Sequence, residues 1–212
     1  KSYSQETENR ILNRIFNNNQ QGFYVDVGAH HPKRFSNTYF FYKRGWKGIN
    51  IDAMPGSMQM FNRIRPNDIN LEVPISNSNK ELNYYIFNDN ALNGFSKRLS
   101  DERVEKYNYK IEKIVKLKTK TLSQILNEYN APKIFDFLTI DVEGLDHEVL
   151  ISFDINIYRP KMILIELLGA TVNELPGHES YDYLSNNNYS LLAKTVNTCF
   201  FICNEFNKER FN

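Results

Sequence analysis

Apolar positions along this chain fall into two patterns: short unbroken runs, and stretches spaced three and four apart. The runs Phe23–Val27, Gly48–Asp52, Ile69–Ser76, Phe135–Asp141 and Met162–Leu168 are nearly continuous in β-branched and aromatic residues. That is the composition of parallel strands covered on both faces. Helical spacing lies between them. Ile11, Leu12, Ile15 and Phe16 predict an N-terminal helix within residues 1–20, stopped by Asn17-Asn18-Asn19. Ser36–Arg44 predicts a helix ending near Gly45, and Pro55 opens another with Met58 and Phe61 as apolar positions. Thr121 starts a helix with Leu122, Ile125 and Leu126 on one face; His147–Phe153 is a short helix, and Tyr181–Leu184 lies in another. Leu82–Phe87 alternates and predicts a strand extending the sheet edge, and Val115–Thr119 alternates likewise. Leu191–Lys194 and Thr198–Cys203 predict an antiparallel pair. Residues 97–113 are charged and weakly patterned, which reads as a solvated helix or mobile loop, or else as a lid. The expected architecture is α/β, a Rossmann-like, mostly parallel sheet with an N-terminal helix and an antiparallel C-terminal pair, in a single domain over 1–212.

Composition narrows the function. A formal charge of +1 gives no basic excess for nucleic acid. No apolar run reaches the length of a membrane span. Cys199 and Cys203 sit four extended residues apart, too far for a disulfide, and read as buried free thiols. A cytoplasmic location is therefore expected.

The chemistry gathers at strand ends. The first strand runs into Asp26-x-Gly28-x-His30, a glycine-relieved turn, and the second ends in Asp52. Dinucleotide binders need further glycines so that backbone can approach a pyrophosphate. S-adenosylmethionine has no phosphate and tolerates a looser turn. Asp26 and Gly28 suit its methionine end, and Asp52 suits the ribose hydroxyls. Ser36-Asn37-Thr38 opens a helix, where Asn37, Thr38 and backbone N–H groups could hold a carboxylate. Ser76, at the end of the third strand, lies where an adenine edge would fall. Asp141-Val142-Glu143-Gly144 ends the fourth strand, with Asp141 and Glu143 aimed the same way. Glu143 is equally placed to cap the helix that follows. Asp26, Asp52, Asp141 and Glu166 all fall at or near carboxyl ends of strands, where open α/β sheets bind ligands.

The run Phe23-Tyr24-Val25-Asp26-Val27-Gly28-Ala29, then Pro32, Ser36-Asn37-Thr38, Phe41-Tyr42, Gly45-Trp46, Gly48 and Ile51-Asp52, resembles the FkbM-type methyltransferases, as does Phe137-Leu138-Thr139-Ile140-Asp141-Val142-Glu143-Gly144. The likeness spans about Gly22 to Gly169. It implies a methyltransferase fold and S-adenosylmethionine-dependent O-methylation of sugars, polyketides or related metabolites. Asp52 departs from the family's frequent Glu-Pro. The likeness also gives Asn93-Gly94-Phe95-Ser96 as a substrate-side loop.

Methyl transfer to an alcohol needs a base or a metal. His30 and His31 follow the cofactor turn and are the first candidates for the base, with His178 in a loop after the fifth strand and His147 beside the Asp141 cluster. Asp141 and Glu166 would suit a hard divalent cation, Mg or Mn. Trp46 and its aromatic neighbours read as core. The expected partners are a small-molecule or sugar-nucleotide acceptor, such as a nucleotide-linked or capsule polysaccharide precursor; a homo-oligomer is compatible with the pattern. Two other readings share the fold, an NAD-type sugar oxidoreductase or epimerase and a non-catalytic partner domain.

Overall fold

The buried runs pair with one another, as their continuity requires. The computed structural model describes residues 2–16, 19–89 and 92–211. The stop expected at Asn17 and Asn18 lies outside the described residues. In chain order, α1 (Glu8–Ile15) leads into β1 (Phe23–Val27), α2 (Tyr39–Tyr42) into β2 (Lys47–Asp52), and α3 (Met58–Ile64) into β3 (Ile69–Glu72). An insertion follows: β4 (Glu81–Phe87), α4 (Lys97–Tyr107) and β5 (Ile111–Lys118). The alternation resumes with α5 (Leu122–Glu128), β6 (Ile134–Ile140), α6 (Asp146–Leu150), β7 (Arg159–Glu166) and α7 (Glu179–Asn186). Then come β8 (Tyr189–Lys194), β9 (Thr198–Cys203) and α8 (Asn204–Phe211).

A seven-stranded sheet takes the order β3-β2-β1-β6-β7-β9-β8, parallel except for β9. The chain winds outward from β1 to β3, returns, and winds the other way from β6. The ends of β1 and β6 therefore flank the topological switch point, where a crevice forms. One face packs Val25, Ile49, Leu138 and Ile163 against Leu122 and Leu126 of α5 and Leu184 of α7. The other packs Tyr24, Phe137 and Leu164 against Leu12, Phe16, Phe41 and Trp46. Trp46 is 1% exposed, with the Phe41 ring 4.8 Å away, and is core as expected. No helix among the described residues is long and apolar enough to cross a membrane.

Several boundaries and one pairing differ from the sequence expectation. The third strand stops at Glu72, because Pro74 has no N–H to continue the ladder. The helix expected from Ser36 starts at Tyr39; Ser36 Oγ instead accepts the Tyr39 N–H at 3.0 Å. The 82–87 strand does not extend the main sheet. β4 and β5 form their own antiparallel pair, because each alternating strand finds its partner in the other. The base of this insertion is closed by a parallel bridge between Ile75 and Lys120, with Ser76 N–H donating to the Lys120 carbonyl and Lys120 N–H to that of Pro74, both at 3.0 Å. Residues 97–107 are helix: Ser96 caps the Leu99 N–H, and Lys97–Asp101 and Glu102–Lys106 pair along the solvent face. β5 starts earlier than expected, at Ile111, and β7 at Arg159.

Candidate active site

Gly28 joins three strand ends. Its N–H and that of Ala29 donate to the Ile51 carbonyl at 2.9 and 3.0 Å, and Asp141 N–H donates to the Val27 carbonyl at 3.0 Å. Gly28 has φ +85°, and a Cβ there would stand 1.7 Å from the Asp141 carbonyl oxygen. A side chain would thus drive β1 and β6 apart. The next turn residue, His30, also has positive φ, +52°. Its N–H donates to Asp52 Oδ2 at 2.8 Å, and the Met54 N–H donates to Asp52 Oδ1 at 2.8 Å. Burial pushes the Asp52 carboxyl up, against the pull of those two N–H groups. Between these elements opens a cavity of about 400 Å³, walled by Gly28, His30, Asp52, Ile75, Asp141 and Glu143 among others. That is within the range of small-ligand sites. Tyr84, Asn93 and Phe95 of the insertion complete one wall. Gln5, from an N-terminal strap, reaches another; Glu6 of the strap accepts from Thr195 Oγ1 and Asn197 N–H at 2.6 and 3.0 Å.

The other sequence candidates have structural partners away from this wall. Asp26 is buried behind the turn and accepts from Thr38 Oγ1 at 2.7 Å. Thr38 in turn receives Arg65 Nη1 at 3.0 Å. Arg65 is fully buried, paired with Asp68 at 2.8 Å and bonded to the Tyr24 hydroxyl. Burial lifts the Asp26 carboxyl to about 6, with Arg65 and Thr38 pulling it down. Asn37 Nδ2 donates to Thr139 Oγ1 at 3.1 Å. Ser76 Oγ donates to Glu148 of α6 at 2.5 Å. His178 caps α7, accepting from the Ser180 N–H at 3.3 Å, and His147 meets the Ser180 hydroxyl at 3.0 Å. Of the four histidines, His30 and His31 line the cavity.

The acids at the ends of β6 and β7 do converge. Asp141, Glu143 and Glu166 each offer an oxygen within 4.8 Å of the others. Asp141 is open to the cavity, yet protein crowds its carboxyl on the remaining sides. That crowding, then Glu166 and Glu143, raises its proton affinity well above the carboxylate range. Glu166 is raised too, by burial and then by Glu143, and its Oε2 is buried with no partner among the described residues. Oxygen-only donors at this spacing fit a hard divalent cation.

Glu143 does not cap α6, whose N-cap position, Leu145, has no side-chain cap. Asp146, the first residue of the helix, instead holds the turn ahead of it, accepting the Val142 and Gly144 N–H groups at 3.1 Å each, and burial raises its carboxyl to about 6. The tight Asp141–Gly144 turn exposes those N–H groups toward Asp146 and sets Glu143, at φ +54°, facing α4. There Glu143 ion-pairs with Arg103, whose Nη1 also holds the Leu92 carbonyl at 2.7 Å. A Cβ on Gly144 would stand 2.9 Å from Leu99 and from Ser96, and one on Gly94 3.0 Å from the Glu143 carbonyl. The insertion thus seats on the acid turn with no room to spare. Charge patterning alone could not single out Arg103 from its neighbours in α4.

A family model described as Methyltransferase FkbM domain matches residues 26–191, from the end of β1 into β8. No curated protein matches the chain.

Proposed function

This chain belongs to the FkbM methyltransferase family, and from that premise we propose that it is an S-adenosylmethionine-dependent O-methyltransferase acting on a hydroxyl of a sugar or sugar-containing precursor. One observation carries the reading. At the switch point, a cavity of about 400 Å³ joins the Gly28 turn and Asp52 to an acidic cluster that includes Asp141 and Glu143. S-adenosylmethionine supplies an activated methyl group on a cationic sulfonium. Gly28 lets backbone approach its methionine end, and Asp52 accepts its ribose hydroxyls.

What remains for the chain is to hold the acceptor hydroxyl and take its proton. His30 is the proposed base. Its ring lines the cavity, and burial lowers its proton affinity, opposed by Asp52. It is therefore neutral near pH 7, with a lone pair to accept the proton. His31 is less suited, because its Nδ1 already accepts the Lys33 and Arg34 N–H groups.

The partnerless Glu166 oxygen favours a second reading, with a divalent cation such as Mg or Mn held by Asp141, Glu143 and Glu166. Bound there, it would acidify an acceptor hydroxyl. Arg103 already neutralises part of this cluster, so the ion would share Glu143 with it. One assay tests both: transfer of labelled methyl from S-adenosylmethionine to a panel of sugars and sugar phosphates, with and without EDTA. Transfer to a hydroxyl is expected, abolished by chelator and restored by Mg or Mn if the ion takes part. Full turnover in excess EDTA would remove the ion, and absence of transfer across the panel would remove the sugar acceptor.

A further inference from the structure

The loop leaving the cofactor turn has the sequence His30-His31-Pro32-Lys33-Arg34-Phe35. Four of its members line the cavity, and the two between Pro32 and Phe35, the exposed cations Lys33 and Arg34, sit on the loop that borders it. Neither Lys33 nor Arg34 makes an ion pair among the described residues. Both lie over aromatic rings, Lys33 5.8 Å from the centre of Tyr39 and Arg34 4.4 Å from that of Phe35. The loop is held in shape. His31 Nδ1 accepts the Lys33 and Arg34 N–H groups at 3.0 and 2.9 Å. His30 and Phe35 both hold left-handed backbone, φ +52° and +56°, which is costly for bulky residues and needs surroundings that enforce it. Phe35 is nonetheless 42% exposed, and its ring stacks 6.4 Å from that of His30.

The cavity therefore has acids in its wall and two cations, unpaired among the described residues, on the loop beside it. Asp52, Asp141 and Glu143 line it; Lys33 and Arg34 lie on the bordering loop, the Arg34 guanidinium over the ring of the lining residue Phe35. A neutral ligand would leave the two cations unused. The complementary ligand has a neutral hydroxyl-bearing end and an anionic tail. Guanidinium and ammonium groups are the side chains that recur wherever phosphate is recognised. We propose that Lys33 and Arg34 bind a phosphate or diphosphate group on the acceptor, so that the hydroxyl to be methylated is carried on a phosphorylated sugar. The inference rests on the methyl-transfer reading above and narrows its acceptor. Burial, then His30, then Arg34 and Lys33, hold the His31 ring below its ordinary proton affinity.

The test has a binding arm independent of turnover. Inorganic pyrophosphate is titrated into the wild-type protein and into a Lys33→Ala, Arg34→Ala double variant, following the His31 ring by NMR. Binding to wild type should raise the His31 pKa and weaken with added salt, because exposed charges are screened. The double variant should bind about tenfold more weakly or worse while keeping its affinity for S-adenosylmethionine. Equal pyrophosphate binding by the two proteins, or none by wild type at millimolar concentration, overturns the proposal whether or not the protein methylates sugars. The turnover arm compares a free sugar, a nucleoside diphosphate sugar and a lipid-linked sugar diphosphate in detergent. A lower KM for either diphosphate, lost in the double variant, supports the proposal and identifies the source. A KM that ignores the diphosphate overturns it. Pyrophosphate binding without methyl transfer to any sugar would instead count against the sugar-methylation reading, leaving the anion site standing.

Discussion

Asp52 already gives two of its lone-pair positions to the N–H groups of His30 and Met54. Those bonds fix the carboxylate and leave its other positions for a ligand's hydroxyls. Asp52→Ala is expected to weaken S-adenosylmethionine binding by about 1–3 kcal/mol, the range for losing a charged hydrogen-bond partner, as read by calorimetry. Unchanged affinity would sink the ribose assignment. Residues such as Asp52, Gly28 and Asp141 were legible from sequence because a strand end fixes where its last residue lies. Asp26 was less so. Its strand position is as expected, but the buried Arg65 and Thr38 that engage it come from other elements, and no local pattern announces them. Arg103 and Asp146 escaped for the same reason: their partners Glu143 and the Val142 and Gly144 N–H groups are defined by a turn whose shape the sequence does not print.

At the scale of elements, the central strands were legible because a strand buried on both faces reads as one apolar run. The insertion was not. Alternation in 82–87 and 115–119 signals strands without saying that they pair with each other, and α4 has a weak apolar face because one side meets solvent and the other meets an acid. That contact makes a prediction about the helix. Arg103→Met would leave Glu143 without its cation beside Asp141 and Glu166, so the seat of α4 should loosen. A loss of about 1–3 kcal/mol in stability is expected, with faster amide hydrogen exchange in Lys97–Tyr107 than in α5. Arg103→Lys should recover part of both. Exchange in α4 unchanged by Arg103→Met would mean that packing at Gly94 and Gly144 holds the helix without the ion pair.

For the whole molecule, the crowded acids set the response to pH. Asp26, Asp52, Asp141, Asp146 and Glu166 are all raised, mainly by burial, so the folded chain binds their protons more tightly than the unfolded chain does. Stability must then fall as pH rises from their unfolded values, 3.8 for Asp and 4.5 for Glu, through their folded ones, about 6 for Asp26 and Asp146. His30 and His31 are lowered by burial and act oppositely, losing stability as pH falls through 6.5. Five carboxyls outweigh two imidazoles, so in chelator-containing buffer the melting temperature at pH 6 should exceed that at pH 8 by a few degrees, at about 2–4 °C per kcal/mol for this size. Glu166→Gln should flatten the slope; a melting temperature that is level or rises toward pH 8 contradicts it. The bridge between Ile75 and Lys120 bears on a different matter. Because the two ends of the insertion meet there, side by side, everything between them is topologically a plug-in cassette. Residues 76–119 could be exchanged for a different loop while the strands of the main sheet keep their register.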